Sequence, residues 1–346
     1  MDGEITPTVR KLGELQMIGL RALFRPDAFD RLAHELTAML LAPNTRGGLL
    51  RPDWVKAEAA ALAARQEAET PDAERYARKR LIEEMCCCED FALSPLGDSE
   101  GAESIHYQKL TRHYHGLVQT SPLEIFYCGT LAPRAAAQTL TELLSGMPRG
   151  ELDDELGTDV RMNSLEADAR VVTEEVPGLT QARLAAGWRL GEQMEDPDLV
   201  ALRALEAYLE QALRTALDDG THVTFDMHKG LLMLDAPLRG SLETARSIID
   251  TQLKLLASGA CDAKTLGAAL NALDETLLEA ARDAALLERY WLERAPLGLL
   301  YSPEELTGLL HEVTPQDVTA AARGLECDMV YVCTPEPDGE SAAQEV

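Results

Sequence analysis

The sequence predicts an α+β fold with two homologous domains, each an antiparallel or mixed sheet packed against helices. Two hairpin signals support this prediction, at residues 5–24 around Leu12-Gly13-Glu14 and at residues 222–236 around Lys229-Gly230. The same order of elements follows each hairpin. The chain of 346 residues is 46% apolar, which is enough to fill two cores.

The first element after each hairpin is an amphipathic helix. Each helix has an apolar stripe, formed by Phe29, Leu32, Leu36, Met39 and Leu40 before Pro43 in the first copy, and by Leu242, Ile248, Ile249, Leu253 and Leu256 before Gly259 in the second. A long Ala-rich helix comes next, predicted at 54–68 in the first copy and at 263–292 in the second. The matching order indicates an internal duplication.

The two copies also end alike, with a helix and a short closing strand. The helix starts at 105–110 in the first copy and at 313–318 in the second, where Thr314 suits the N-cap, Pro315 the first helical position and Asp317 the third. Strands rich in β-formers are then predicted at the two closing positions, 123–128 and 328–333.

The copies differ at their beginnings. Before its hairpin the second copy has a predicted helix at 133–144, a strand pair at 170–176 and 181–190, and a helix at 199–217, whereas the first copy has four residues. We therefore expect an N-terminal domain at 1–130 that is incomplete at its start, a C-terminal domain at 131–335, and an acidic tail at 336–346. The first hairpin should expose an apolar face and an unpaired edge, which would make residues 1–130 the less stable half.

Charge and cysteine content exclude several classes of partner and site. Thirty-two basic against 59 acidic residues give a net charge of −27, so neither nucleic acid nor an anionic membrane is expected to bind, whereas a basic peptide is compatible. The sequence shows no apolar run long enough for a membrane span and no signal-peptide pattern at its first residues, which predicts a cytoplasmic protein.

The seven cysteines of the sequence match no disulfide or zinc framework. Cys86, Cys87 and Cys88 are predicted on a helix, about 100° apart, where they could not converge on one metal.

Four segments resemble one known family. Residues 3–24, 76–86, 107–129 and 313–318 are similar to the insulinase/pitrilysin metallopeptidases, which include the mitochondrial processing peptidase, and above all to bacterial non-catalytic members associated with elongation factor P modification. The resemblance implies the clam-shell, LuxS/MPP-like arrangement of two α+β domains around a peptide-binding chamber.

The resemblance also implies where a zinc site would lie. Active members have a His-x-x-Glu-His motif, whose two His at i and i+4 share a helical face, and a glutamate ligand on a later helix. This sequence contains no such motif, and His34-Glu35 lacks a second His. Alignment to the family places Glu58 and Arg65 at degenerate metal-site positions, with Glu67 available if the register shifts by two. We assign no catalytic residue, no metal ligand and no cofactor, the zinc being lost.

Three functional hypotheses follow. The chain is a non-catalytic homologue that contributes to a peptide-binding chamber or supports a zinc-bearing partner, an active zinc endopeptidase whose motif-bearing segment is missing from this sequence, or a structural scaffold subunit. A catalytic insulinase-family subunit or a second copy is the expected partner. Arg282 and Tyr290 are only nominal candidates for the family's substrate-contact pair, and His113, His115, His222 and His228 are expected to be ordinary surface or core histidines.

Overall fold

The computed structural model describes residues 3–68, 72–152, 169–190 and 196–336, and these form a mixed α+β structure as predicted. Its strands are β1 (Gly3–Leu12), β2 (Leu15–Phe24), β3 (Thr45–Arg46), β4 (Leu49–Leu50), β5 (Arg170–Val176), β6 (Arg183–Arg189), β7 (His222–Asp226), β8 (Leu231–Pro237) and β9 (Glu326–Pro335). Its helices are α1 (Phe29–Leu41), α2 (Pro52–Ala68), α3 (Ala73–Met85), α4 (Ser99–Glu103), α5 (Tyr107–Thr120), α6 (Pro133–Leu144), α7 (Asp196–Ala216), α8 (Leu242–Ala257), α9 (Ala263–Arg282), α10 (Ala284–Arg294), α11 (Pro303–Glu312) and α12 (Pro315–Arg323). None of these helices combines the length and the apolar character that crossing a bilayer requires.

Both predicted hairpins are confirmed. β1 pairs with β2 and β7 pairs with β8, each antiparallel. The turns contain Gly13 at φ 58° and Gly230 at φ 70°, a left-handed conformation that glycine adopts without steric cost. The predicted capping of α12 is also found, because Thr314 and Asp317 form a reciprocal capping box with Pro315 at the first helical position.

The described residues group into two compact units, each built from separate segments of the chain. The first unit takes its described residues from Met1–Glu69, Ser94–Gly157 and Glu288–Gly298, and the second from Thr70–Leu93, Thr158–Leu287 and Leu299–Val346. The domain boundary at residue 130 stays a prediction, and the acidic tail lies outside the described residues from 337 onward. The segment that contains α3 groups with the second unit, whereas the sequence prediction places it in the N-terminal domain.

The first unit has a small apolar core beside the first hairpin. Phe29 and Ala33 of α1 pack with Ala136 of α6, and Phe24 and Tyr127 pack against this cluster. Gly3 of β1 lies under α1, because a Cβ at this position would fall 2.2 Å from a methyl of Leu32. The stripe predicted for α1 is confirmed in part, since Phe29 and Leu32 are buried whereas Met39 is 49% exposed.

The second unit is organised around a five-stranded sheet with the order β5-β9-β6-β8-β7. β9 runs parallel to β5 and antiparallel to β6. Residues 170–176 and 183–189 are therefore not the adjacent strand pair that we predicted, because the closing strand β9 lies between them. Every residue of β6 is buried, so both faces of the sheet are covered at this central strand.

One face of this sheet packs against α3. Ala77, Leu81 and Met85 point into a core with alternate residues of three strands; these are Ala185 of β6, Leu231 and Met233 of β8, and Met329, Tyr331 and Cys333 of β9. Gly187 permits the close approach, because a Cβ at this position would lie 2.5 Å from Sδ of Met85. The helix and the sheet therefore share one core.

Three local predictions were wrong. The helix predicted at 263–292 breaks at Asp283, whose extended backbone (φ −108°, ψ 122°) ends α9. The Asp283 carboxylate then accepts hydrogen bonds from the N–H groups of Ala285 and Leu286 at the start of α10. Residues 123–128 do not form the predicted strand. Their backbone groups pair with no strand of the described sheets, and a strand needs such a partner. Cys86, Cys87 and Cys88 are not helical, because α3 ends at Met85.

Replacing Gly187 with Val tests the contact between α3 and the sheet. We expect the second unit to lose about 1–3 kcal/mol in its free energy of unfolding, because the new side chain must displace Met85 from a packed core. Urea denaturation followed by the fluorescence of Trp188 in β6, in a background with Trp54 and Trp291 changed to Phe, reports on this unit.

The matched control is Gly267→Ala on α9, where a Cβ would meet no atom within 4 Å. That variant should be as stable as the parent or more stable by up to about 1 kcal/mol, since Ala favours a helix over Gly. A Gly187→Val protein with parental stability would show that α3 does not rest on the sheet at this point.

Candidate functional site

The predicted degenerate metal positions lie on α2. Glu58 and Arg65 are seven residues apart, so they share one face of the helix, and both side chains are exposed. Arg65 has only N–H donors and no lone pair to offer a zinc ion. The side chain of Glu67 lies outside the described residues. The structure does not test the family alignment of these positions, which stays a prediction.

The part of the chain that the structure describes contains no group of three or more His, Cys, Asp or Glu side chains that could hold a metal ion. His34 lies within hydrogen-bond distance of the Asp30 carbonyl on its own helix, 2.7 Å away. His113 and His115 are exposed on α5. Of the nominal substrate-contact residues, Arg282 is exposed and Tyr290 is buried beneath the guanidinium of Arg294, 3.7 Å from the ring centre.

An exposed apolar surface lies on the β1–β2 hairpin, where side chains alternate between the two faces of the ribbon. One face, which we call the hairpin face, contains only apolar residues between its two ends; they are Ile5, Pro7, Val9, Ile18, Leu20 and Ala22, of which Pro7, Val9 and Ile18 are exposed and the others are half-buried. Val9 and Ile18 are directly paired across the strands and are 63% and 52% exposed. This is the exposed apolar face that the sequence predicted.

The opposite face of the hairpin is anchored. Arg10 and Arg21 both form ion pairs with Glu288 of α10, Arg10 at 2.7 Å, and the Glu288 side chain is 14% exposed. Within the described residues neither strand pairs with any strand other than its hairpin partner. Pro7 has no N–H, so the outer edge of β1 lacks one donor, and β2 presents the more complete open edge.

A buried ionic cluster lies in the second unit where α3 ends. It consists of Glu89, Lys229, Arg189 and Asp328, which we call the Glu89 cluster. One carboxylate oxygen of Glu89 lies 2.7 Å from Nζ of Lys229, and the other lies 2.7 Å from Nη2 of Arg189. Arg189 also donates to Asp328 at 2.7 Å through Nε and to the Met85 carbonyl at 2.9 Å. The side chains of Lys229 and Glu89 are 0% and 5% exposed.

Local structure brings these charges together. Glu89 follows a turn closed by its own N–H on the Cys86 carbonyl, while Lys229 is in the β7–β8 turn and Arg189 is the last residue of β6. A charge buried this deeply is tolerated only when it is paired, and each member here has an opposite charge within hydrogen-bond distance. The cluster therefore fixes the end of α3 to the ends of two strands.

A second cluster joins the middle of α3 to β5 and β9. Glu174 accepts hydrogen bonds from the hydroxyls of Tyr331 (2.6 Å) and Tyr76 (2.9 Å) and from Nε of Arg80 (3.1 Å). These donors hold the pKa of Glu174 below 4.5, and the Tyr331 hydroxyl has the largest effect. Burial and the bond to Glu174 raise the pKa of Tyr331, so this phenol stays protonated at neutral pH.

A third polar contact is at the start of α3. Arg183 of β6 pairs with Asp235 of β8, both nearly buried, and lies 3.7 Å from Glu74 at the first turn of α3. In these three contacts each cation or hydroxyl faces a carboxylate, and each contact joins α3 or the turn after it to strands of the sheet. These contacts hold α3 against the sheet, and the sequence analysis did not predict them. The one available signal was the presence of charged residues such as Arg183, Arg189 and Asp235 within or at the ends of apolar strands.

Comparison with known proteins supports the resemblance drawn from the sequence. No protein-family profile matches the chain. The probable inactive metalloprotease YmfF of Bacillus subtilis (strain 168) is 22% identical over 314 residues, which cover 86% of this chain and 71% of that protein.

Solved structures share the fold at low sequence identity. A conserved protein from Enterococcus faecalis V583 matches with a TM-score of 0.78 at 17% identity over 97% of this chain and 83% of its own. A peptidase M16 inactive domain from Pseudomonas fluorescens matches with a TM-score of 0.70 at 16% identity over 96% and 81%. A chain of complex III2 from Candida albicans matches with a TM-score of 0.67 at 13% identity over 95% and 81%. The predicted peptidase-like fold and the resemblance to inactive members of the M16, or insulinase, family are confirmed.

Replacing Glu89 with Gln tests the Glu89 cluster. The change keeps the shape of the side chain but leaves Lys229 buried without its nearest counter-charge, so we expect a loss of about 3–5 kcal/mol in the unfolding free energy of the second unit. The Trp188 fluorescence assay in urea measures it. Glu275→Gln, which neutralises an exposed glutamate on α9, should leave stability within about 0.5 kcal/mol of the parent.

The Glu174 cluster should make the unfolding free energy of the second unit depend on pH. Because the pKa of Glu174 is lowered in the folded chain, its contribution to stability is present above 4.5 and is lost as the pH falls through the folded pKa below that value. Tyr331→Phe removes the strongest donor, so the variant should be less stable at neutral pH by at most about 1 kcal/mol, since the carboxylate is partly solvated. Urea unfolding at stepped pH should show this difference shrinking once Glu174 is protonated. A difference that is the same above and below the titration would assign the effect to packing of the ring.

Proposed function

We propose that the chain is a non-catalytic homologue of insulinase-type peptidases that binds a partner through the hairpin face, and that this partner is a zinc-bearing member of the same family. The observation that carries the proposal is the exposed pair of Val9 and Ile18 on a ribbon with open edges, beside a sequence without a His-x-x-Glu-His motif. The protein itself supplies binding surface and no chemistry.

The physical basis for docking is the composition of the hairpin face. Large exposed apolar patches on one surface indicate a contact site, and an open strand edge can add a further strand through backbone hydrogen bonds. The ion pairs of Arg10 and Arg21 with Glu288 hold the opposite face of the ribbon, so the surface is ordered before binding. A preorganised surface loses less conformational entropy on association.

Proteins similar to this chain include inactive relatives of metallopeptidases. YmfF of Bacillus subtilis is a probable inactive metalloprotease, and one structural neighbour is a peptidase M16 inactive domain from Pseudomonas fluorescens. Another neighbour is a chain of complex III2 from Candida albicans, which supports a role in an assembly. We propose a cytoplasmic location as well, because all seven cysteines are free thiols.

Affinity capture tests the proposal. The tagged chain, expressed in its own source cell, should co-purify with a protein whose sequence contains His-x-x-Glu-His, identified by mass spectrometry. Changing Val9 and Ile18 together to Thr should weaken that association at least about ten-fold, which corresponds to about 1.4 kcal/mol. Leu300→Thr, which changes another exposed apolar residue (75% exposed), is the matched control and should bind as the parent does.

Three results would contradict the proposal. The first is recovery of the chain alone or only with itself, which would favour the scaffold hypothesis. The second is unchanged capture by the double variant. The third is one zinc per chain after dialysis together with a chelator-sensitive peptidase activity, which would show an active enzyme.

A further inference from the structure

The three consecutive cysteines at the end of α3 are not equivalent in the structure. Cys86 is buried, its Sγ lies 3.5 Å from a guanidinium nitrogen of Arg189, and burial raises the pKa of its thiol to about 11. Cys87 and Cys88 are exposed. They occupy the middle of the turn that the Glu89 N–H closes on the Cys86 carbonyl, so α3 no longer holds their side chains apart. Their Sγ atoms are 3.8 Å apart.

That separation distinguishes two kinds of thiol chemistry. A disulfide between neighbours is disfavoured, because consecutive Cα atoms are about 3.8 Å apart whereas disulfides span about 4.4–6.8 Å between Cα atoms. A single soft centre bonded to both sulfurs needs no such distortion. A tetrahedral centre with bonds of about 2.3 Å holds two sulfurs about 3.8 Å apart, and the pyramidal geometry of a trivalent centre brings them slightly closer. The observed pair is near this spacing, and rotation about the bonds of the exposed Cys87 and Cys88 side chains closes the remaining difference.

We propose that Cys87 and Cys88 form a dithiol site that binds one thiophilic centre across both sulfurs, and that its ligand class is the monosubstituted trivalent arsenicals. Two thiols satisfy such a centre completely, because its third bond is to its own carbon substituent. A zinc ion would need further protein ligands, and the described residues offer no third His, Cys, Asp or Glu for a metal here. The site is independent of the hairpin face.

The reaction balances without an oxidant. An arsenoxide, R–As=O, reacts with the two thiols so that both S–H bonds break, two As–S bonds form, and the oxygen leaves with the two protons as one water. The oxidation state of arsenic does not change. The hydrogen bond to Cys88 raises the pKa of Cys87, and because the thiolate is the nucleophile, binding should be faster at higher pH.

Phenylarsine oxide added to the full-length, reduced protein is the test, with native mass spectrometry as the readout. We expect one adduct per chain, whose mass equals that of the reagent less one water. A small dithiol should remove it, whereas glutathione at equal thiol concentration should not, since only the dithiol reproduces both As–S bonds. Cys87→Ser and Cys88→Ser should each weaken binding at least about 100-fold.

Cys128→Ser changes another exposed thiol and is the matched control, which should bind as the parent does. Circular dichroism of each variant confirms folding before binding is compared. Binding that survives in either Cys87→Ser or Cys88→Ser would overturn the proposal, as would removal by glutathione and dithiol alike. Conversion of the pair to a disulfide in air, seen as the loss of two hydrogen atoms without an adduct, would overturn the geometric argument.

Discussion

The second unit depends on the burial of Glu89. Its carboxylate is shared by two buried cations, Lys229 and Arg189, so these buried charges compensate one another, and Asp328 is a second counter-charge for Arg189. The same arrangement fixes the end of α3 against β6, the β7–β8 turn and, through Asp328, the start of β9. The shared core of α3 and the sheet then needs Gly187, whose missing side chain leaves room for Met85.

Much of the fold could be predicted because local signals agree with the final structure. Gly13 and Gly230 mark the two hairpin turns, and the Thr314 and Asp317 capping box begins α12, since both depend on residues close in sequence. The position of α3 could not be predicted in this way. Ala77, Leu81 and Met85 show that one face of the helix is buried, but periodicity does not say which sheet covers it.

The candidate sites also differ in whether the sequence alone indicates them. Comparison of the two predicted copies indicates the exposed hairpin face, because the first copy has fewer elements beside its hairpin than the second, and Val9 and Ile18 are exposed on that face. The clusters around Glu89 and Glu174 join residues about 100 and 160 positions apart in the sequence, so no local pattern indicates them. Cys87 and Cys88 were misassigned for a smaller reason: the helix ends one residue before the three cysteines, and helix ends are the least certain feature of any prediction.

The position of β9 has a consequence for the order of events during biosynthesis. This strand lies between β5 and β6, yet Met329 pairs with Arg170 across about 160 residues of chain. Until the ribosome has released residues 326–335, β5 has no neighbour in the described sheet and β6 has only β8. Closing so long a loop has an entropic cost that slows folding, and open strands meanwhile offer unpaired backbone groups to other chains. The nascent second unit therefore completes its sheet only after β9 has left the ribosome, and it is before this point that protection by chaperones would matter most.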